Sequence, residues 1–345
     1  MDKKLQAQIE ASEQHLKAGE YEQASEILIK FTKMESIAPL AYYRLAFIAN
    51  ATKDPLTAKT LYYKAFSLAP DVCKFLLGPD HPNHGYVFSG KKNEPLVESC
   101  PLCGKAGEPY WCYVLIEMGA AYAQDYNPVR LWMYCADCHH LYAEEFPIQK
   151  VVTSKSEGMQ TITNLFPDYS VLLSKLGSLT QGDNLLEIGV GGSECALVAQ
   201  EMGFNVFGLD IDEGNVLQAR RYGINAEIHD FMEFKSDQKW DIIVMGDVIE
   251  HVSDPVAAME KLCELLNDGG CIWLSTPNFD GAYSRAMGHG DAMRREPAHK
   301  NYFSRFSLFK LLERFRLVPV DYKHSSHYNG SVEVIAVKGG EENTP

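Results

Sequence analysis

The chain has 345 residues, 46% of them hydrophobic, with 32 basic against 46 acidic side chains and a formal net charge of −14. That length predicts two or three domains, and the hydrophobic content excludes a disordered chain. The acid excess argues against nucleic acid or an anionic membrane as the main partner. No apolar run is long enough for a membrane span or a secretion signal, so a cytoplasmic protein with reduced cysteines is expected.

The charge is unevenly placed. Residues 181–280 hold 5 basic and 19 acidic groups, net −14, and the remainder of the chain balances.

Residues 1–75 are helical in pattern. Two stretches align at an offset of 34, with Gly19, Tyr21, Ala24, Leu28 and Phe31 in phase with Lys53, Pro55, Ala58, Tyr62 and Ala65. Ala24 and Ala58 mark where paired helices would approach closely. The period resembles the tetratricopeptide repeat, although two units are fewer than the three a free-standing array needs. The segment reads either as cover for its neighbour or as a docking surface for a protein partner or a second copy of the chain.

Residues 81–98, rich in Gly, Pro and Asn, read as a linker. A zinc-ribbon domain is predicted over residues 95–150. Cys100-Pro-Leu-Cys103 and, after 31 intervening residues, Cys135-Ala-Asp-Cys138 offer four thiolates, the closed tetrahedral set of structural zinc. Strand-like alternation in Tyr110–Ile116 and Val129–Tyr134 suits a ribbon. Unliganded thiols and an iron–sulfur centre are the alternatives. Four thiolates leave no open position, so catalytic zinc is not expected.

Residues 158–340 alternate helices with short apolar strands, which predicts an α/β domain with a parallel sheet covered on both faces. The strand Leu185–Ile188 runs into Gly189-Val190-Gly191-Gly192-Ser193, a turn that lets backbone pass close under a ligand. The next strand ends at Asp210, 23 residues after Glu187, where a carboxylate is placed to accept from ribose hydroxyls. A dinucleotide fingerprint would carry glycine at position 194 to admit a pyrophosphate. Glu194 stands there instead, and Glu187 precedes the turn. Both suit a cationic ligand, and S-adenosylmethionine has an ammonium, a sulfonium and no phosphate.

The motifs LLEIGVGGS, VFGLDID, IHDF, WDIIVMGDVIEHVSDP and LLNDGGCIWLSTPN, in this order and spacing, resemble the class I S-adenosylmethionine-dependent methyltransferases. The EHVxDP stretch, with His299, Tyr302-Phe303-Ser304, Ser307-Leu308 and Leu311-Leu312 after it, is similar to the ubiquinone-biosynthesis O-methyltransferase group. A CxxC…CxxC ribbon ahead of such a domain resembles methyltransferases of sugar and surface-polysaccharide pathways. The resemblance implies a Rossmann-like seven-stranded sheet. It also implies that Glu187, Gly189 and Gly191 line the methionine end, Asp210 binds the ribose and Ile211 packs on adenine. Asp230 would accept from the adenine amino group beside Phe231, and Asp247 would face the transferring methyl. Ile211 and Phe231 as plain core remain the alternative. Ser193 departs from the family's third glycine.

Methyl transfer to a hydroxyl or a carbon acid needs a base, for which His251 and His299 are the candidates. Asp247, Glu250 and His251 also form a shorter-armed variant of the ExxEH stretch that holds a divalent ion in some O-methyltransferases. Pro277–Phe306 is expected as a lid, with Arg294 and Arg295 holding an anionic group of the acceptor. The expected function is methyl transfer from S-adenosylmethionine to the oxygen, nitrogen or carbon of a sugar, sugar nucleotide or related metabolite. A protein or RNA methyltransferase that docks through its helices and ribbon is one alternative. A non-catalytic cofactor-binding scaffold is the other.

Overall fold

The N-terminal segment folds as two helical hairpins. The helices are α1 (Lys3–Ala18), α2 (Tyr21–Phe31), α3 (Ala38–Ala51) and α4 (Pro55–Leu68), with a single turn, α5 (Cys73–Leu76), behind them. In this computed structural model, residues 3–90, 94–117, 127–146 and 158–339 are described. Gly19, at φ +76°, ends α1 in the left-handed region that glycine enters at least cost. Asp54 caps α4 by accepting from the Thr57 amide at 3.1 Å, and Pro55 fills the first helical position. Ala24 and Ala58 are fully buried, as the close approach of paired helices requires.

These helices do not stand free. Tyr43, Tyr62 and Phe66 share one core with Tyr86 and Phe88 and with Val114, Leu131 and Trp132 of a small sheet. The expected linker is therefore corrected: within residues 81–98 the aromatic rings of Tyr86 and Phe88 are buried, and Asn83 donates to the Ile116 carbonyl at 3.0 Å. Its Gly, Pro and Asn make turns, but the rings between them anchor the segment. Residues 91–93 lie outside the described residues, as does the end of the expected ribbon domain at 147–150.

The small sheet starts with β1 (Glu108–Val114), β2 (Val129–Cys135) and β3 (His140–Ala143), paired antiparallel in that order. Then come α6 (Phe166–Leu179), β4 (Asn184–Ile188), α7 (Glu194–Glu201), β5 (Asn205–Asp210), α8 (Glu213–Arg221), β6 (Asn225–Ile228) and β7 (Trp240–Gly246). The chain continues with α9 (Pro255–Leu265), β8 (Leu266–Pro277), α10 (Ala282–Met287), β9 (Asn301–Tyr302), α11 (Arg305–Arg314), β10 (Leu317–His324) and β11 (Ser331–Lys338).

Seven of these strands form the large sheet in the order β10-β11-β8-β7-β4-β5-β6. The run from β8 to β6 is parallel, and β11 and β10 close one edge antiparallel. Alternation within each strand feeds two cores. Leu186, Ile188, Ile243 and Met245 face α9 and α11, while Leu185, Ile242, Val244 and Trp273 face α6 and α7. Residues Asn267–Gly270 form a kink inside β8, where the register with β7 shifts and Gly269 takes φ +75°.

The stretch expected as a lid is tied down instead. β9 becomes the fourth strand of the small sheet by pairing with β3, Leu141 opposite Tyr302 and Tyr142 opposite Asn301. No helix among the described residues is long and apolar enough to cross a membrane.

Candidate active site and thiolate cluster

The strand order reverses between β4 and β7, and ligands of open α/β sheets bind above such a switch point. Two adjoining cavities of about 330 and 320 Å³ lie there, and both are lined by Gly189, Asp210, Val248 and His251. Gly189 sits at φ +79°, and a Cβ there would meet Val248 Cγ2 at 2.7 Å, so only glycine fits. Ser193 takes φ +68° where the family pattern has glycine, and its buried hydroxyl is without a partner.

The first cavity gathers Asp210, Ile211, Asp230 and Phe231. Ile211 is 53% exposed on its rim, which rules out a core role, whereas Phe231 also packs with Phe234 and Trp240. Asp210 is buried, accepting from the Gly191 and Asp212 amides at 3.1 and 2.8 Å and from the Asn215 side chain at 3.1 Å. The second cavity gathers Glu187, Gly191, Glu194 and Asp247 with Tyr169, Trp273 and Tyr328. Those three aromatic residues were not anticipated. Tyr169 lies on α6 before the glycine turn and Tyr328 in the turn between β10 and β11, where no local spacing marks them.

The electrostatics are one-sided. Glu187, Glu194, Asp210, Asp230, Asp247 and Asp254 line the cleft, and among the described residues no lysine or arginine does. Burial, reinforced by Glu194, pushes the Glu187 carboxyl well above its ordinary range, and its Oε2 has no partner. Burial, with the Glu333 charge adding, pushes Asp247 up to about 6. Asp247 is held at φ +49° with its amide donating to the Ser275 carbonyl at 3.0 Å. Buried carboxylates without counter-charges oppose one another's ionisation, and a bound cation would relieve both.

His251 lines both cavities. Its Nδ1 lies 3.2 Å from the Ala298 carbonyl, which can only accept, so Nδ1 carries the proton and Nε2 is left with a lone pair. Burial lowers its pKa to about 4, keeping it neutral at physiological pH. His299 is buried behind it, ring centroids 4.8 Å apart, with Nδ1 held 3.0 Å from the Met293 carbonyl. It does not line either cavity. Glu250 Oε1, buried and without a hydrogen-bond partner, lies 3.9 Å from His299 Nε2. Ligating atoms of Glu250, His251 and His299 thus fall within 4.8 Å of one another, a set that could hold a metal ion. Asp247, expected in that set, is not part of it.

Arg294 is a correction. Its guanidinium is buried against Tyr110 and Tyr113, donating to the Ser284 hydroxyl at 2.7 Å and the Phe279 carbonyl at 3.3 Å. It braces the stretch after β8 and does not line the cleft. Arg295 faces a different cavity, bounded by α3 and β1.

The four cysteines converge. The Cys100, Cys103, Cys135 and Cys138 sulfurs lie within 4.8 Å of one another, Cys103 and Cys135 at 3.6 Å. A tetrahedral zinc with bonds of about 2.3 Å holds its sulfurs about 3.8 Å apart, so the set fits that ion. In both knuckles the residue after the second cysteine turns left-handed, Gly104 at φ +72° and His139 at φ +50°.

Residues 162–321 match the profile of a family described as a methyltransferase domain. The ubiquinone biosynthesis O-methyltransferase of Ruegeria sp. (strain TM1040) is 32% identical over 155 residues, 41% of this chain and 63% of that protein. The protein of that name in Ruegeria pomeroyi is also 32% identical, over 41% of this chain and 62% of its own length. The chain therefore spans less than two thirds of these relatives. Among solved structures, the N-methyltransferase NodS from Bradyrhizobium japonicum WM9, in complex with S-adenosyl-L-homocysteine, is 14% identical. That likeness covers 50% of this chain and 87% of that one at a TM-score of 0.41.

Proposed function

We propose that the chain transfers a methyl group from S-adenosylmethionine to a small-molecule acceptor, a sugar, a sugar nucleotide or a related metabolite. One observation carries the cofactor assignment: among the described residues, the cleft above the glycine turn is lined by six carboxylates and by no lysine or arginine. Phosphate ligands need the reverse, whereas a sulfonium and an ammonium suit this lining. In this reading Glu187, Gly189 and Gly191 hold the methionine end, Asp210 the ribose, and Ile211, Asp230 and Phe231 the adenine. Asp247 faces the methyl.

An oxygen acceptor is favoured. The relatives named for ubiquinone biosynthesis are O-methyltransferases. A hydroxyl also needs a base, and His251, which lines the cleft, has an unprotonated Nε2, with His299 behind it as its support. Methyl transfer is an in-line displacement, so alignment of the two reactants does most of the work. The cysteine set holds structural zinc in this reading, fixing the knuckles and supplying no reactive position. Calorimetry with S-adenosylmethionine is the test. Binding at micromolar concentrations that Asp210→Ala weakens about a hundredfold is expected, and no binding at about 1 mM would reject the cofactor. A methyl-transfer screen against sugars and nucleotide sugars then identifies the acceptor.

A further inference from the structure

A third cavity, of about 520 Å³, lies between the N-terminal helices and the outer strand of the small sheet. It shares no lining residue with the cleft. α1, α3 and β1 wall it, and residues from the segment His289–Arg295 close one side. The enclosure is fixed by Asn50, whose Nδ2 donates to the Cys112 carbonyl at 2.5 Å while its Oδ1 accepts from the Cys112 amide at 3.1 Å. An outer strand usually leaves such groups to solvent or to another chain; here α3 satisfies them.

Tyr43, Phe47, Trp111 and Tyr113 give the cavity its faces. The His289 imidazole already lies parallel to Trp111, centroids 3.2 Å apart at 11°, so this wall accepts a stacked heteroaromatic ring. Burial lowers the His289 pKa to about 4, so the stack adds no charge at neutral pH. The charge comes from Arg295. Its guanidinium carbon lies 5.7 Å over the Tyr113 ring, its Nε is buried without a partner, and its Nη2 reaches Glu117 only at 3.7 Å. Glu117 is meanwhile engaged by the Tyr43 hydroxyl. Lys17 and Arg44 also line the cavity, Arg44 paired at 2.7 Å with Glu13, which lines it too, so Arg295 is the cation whose Nε is left without a partner.

We propose that this cavity binds a nucleotide, its base stacked on the aromatic wall and its phosphate taken by Arg295. The nucleotide could be free or be the carrier of an activated sugar; the chemistry recognised is the same. The proposal is independent of the methyl-transfer reading, because the two sites have no residue in common.

The test is calorimetry on the full chain with uridine monophosphate, uridine diphosphate glucose and uridine, since an adenine nucleotide could enter the cleft. Both nucleotides should bind with a Kd below about 1 mM and uridine about tenfold more weakly. Arg295→Gln should weaken both nucleotides about tenfold, with Arg295→Lys recovering part of the loss. S-adenosylhomocysteine binding, unchanged in both variants, reports an intact fold. Tighter binding of the sugar nucleotide would assign the activated sugar, and equal binding the free nucleotide. Absence of saturable nucleotide binding while S-adenosylhomocysteine still binds overturns the proposal, as does nucleotide binding untouched by Arg295→Gln and Trp111→Ala. Nucleotide binding without S-adenosylhomocysteine binding would sink the cofactor assignment alone.

Discussion

The cleft above β4 and the cavity beside β1 differ in the charge of their linings. The cleft is walled by carboxylates, with the glycine turn as its floor. The other cavity is walled by aromatic rings, with Lys17, Arg44 and Arg295 set against Glu13 and Glu117. A single net charge of −14 averages over both and describes neither. What the difference teaches is that the acid excess is local, and local charge selects a ligand where the total does not.

The comparison breaks most severely if the small sheet loses its fastening. Removing the proposed zinc by a strong chelator, or replacing Cys135 with Ser, should unfold the knuckles, because structural zinc contributes about 10–16 kcal/mol of apparent binding free energy. One equivalent of zinc by metal analysis is expected, together with new protease sites within residues 95–146 once the metal is gone. Full metal content in the Cys135→Ser variant would refute the assignment. Next in size, Arg294→Ala should cost about 3–5 kcal/mol of stability, since it strips the partner from a buried network. Chemical denaturation measures the loss, and S-adenosylhomocysteine affinity should not move. A change in acceptor KM with stability intact would restore Arg294 as a substrate residue.

The remaining two predictions sharpen the acidic side. Asp210→Ala should weaken S-adenosylmethionine binding about a hundredfold, the loss of two charge-assisted hydrogen bonds of about 1.5 kcal/mol each. Asp247 gives a smaller effect with a definite sign. Its pKa is raised to about 6 in the ligand-free chain, so it is protonated below that pH. A cation at that carboxylate displaces the proton, so affinity should rise about tenfold from pH 5 to pH 7 and then level off. Stability of the ligand-free chain runs the other way. The raised carboxyl favours the folded state below the unfolded pKa, and that contribution is lost as pH climbs through about 6. Parallel titrations of Kd and Tm would separate the two trends.

Much of the acidic side was legible because it is local. Glu187, Asp210 and Asp247 each sit at or just past the end of an apolar strand, and Asp230 two residues past β6, so strand pattern and spacing find them without tertiary knowledge. The two CxxC pairs were legible for the same reason. The basic side was not. Arg294 and Arg295 are neighbours in a polar stretch, yet one is buried against Tyr113, 181 positions away, and the other opens onto a cavity. His299 reads like His251 as a candidate base, but the fold places it one layer deeper. Tyr86 and Phe88 were hidden by their Gly and Pro neighbours, because turn composition reports backbone shape and says little about where a ring is buried.

The fourth strand of the small sheet has a consequence in time. β1, β2 and β3 emerge early in synthesis, but His140 must wait for Asn301, 161 positions later, to receive its buried hydrogen bond. At about 5–20 residues per second the ribosome takes roughly 8–30 s to deliver that partner. Throughout the wait the free edge of β3 can pair with any passing strand. Recovery of folded chain should therefore depend on how fast codons 144–302 are read and on chaperone capacity while they are.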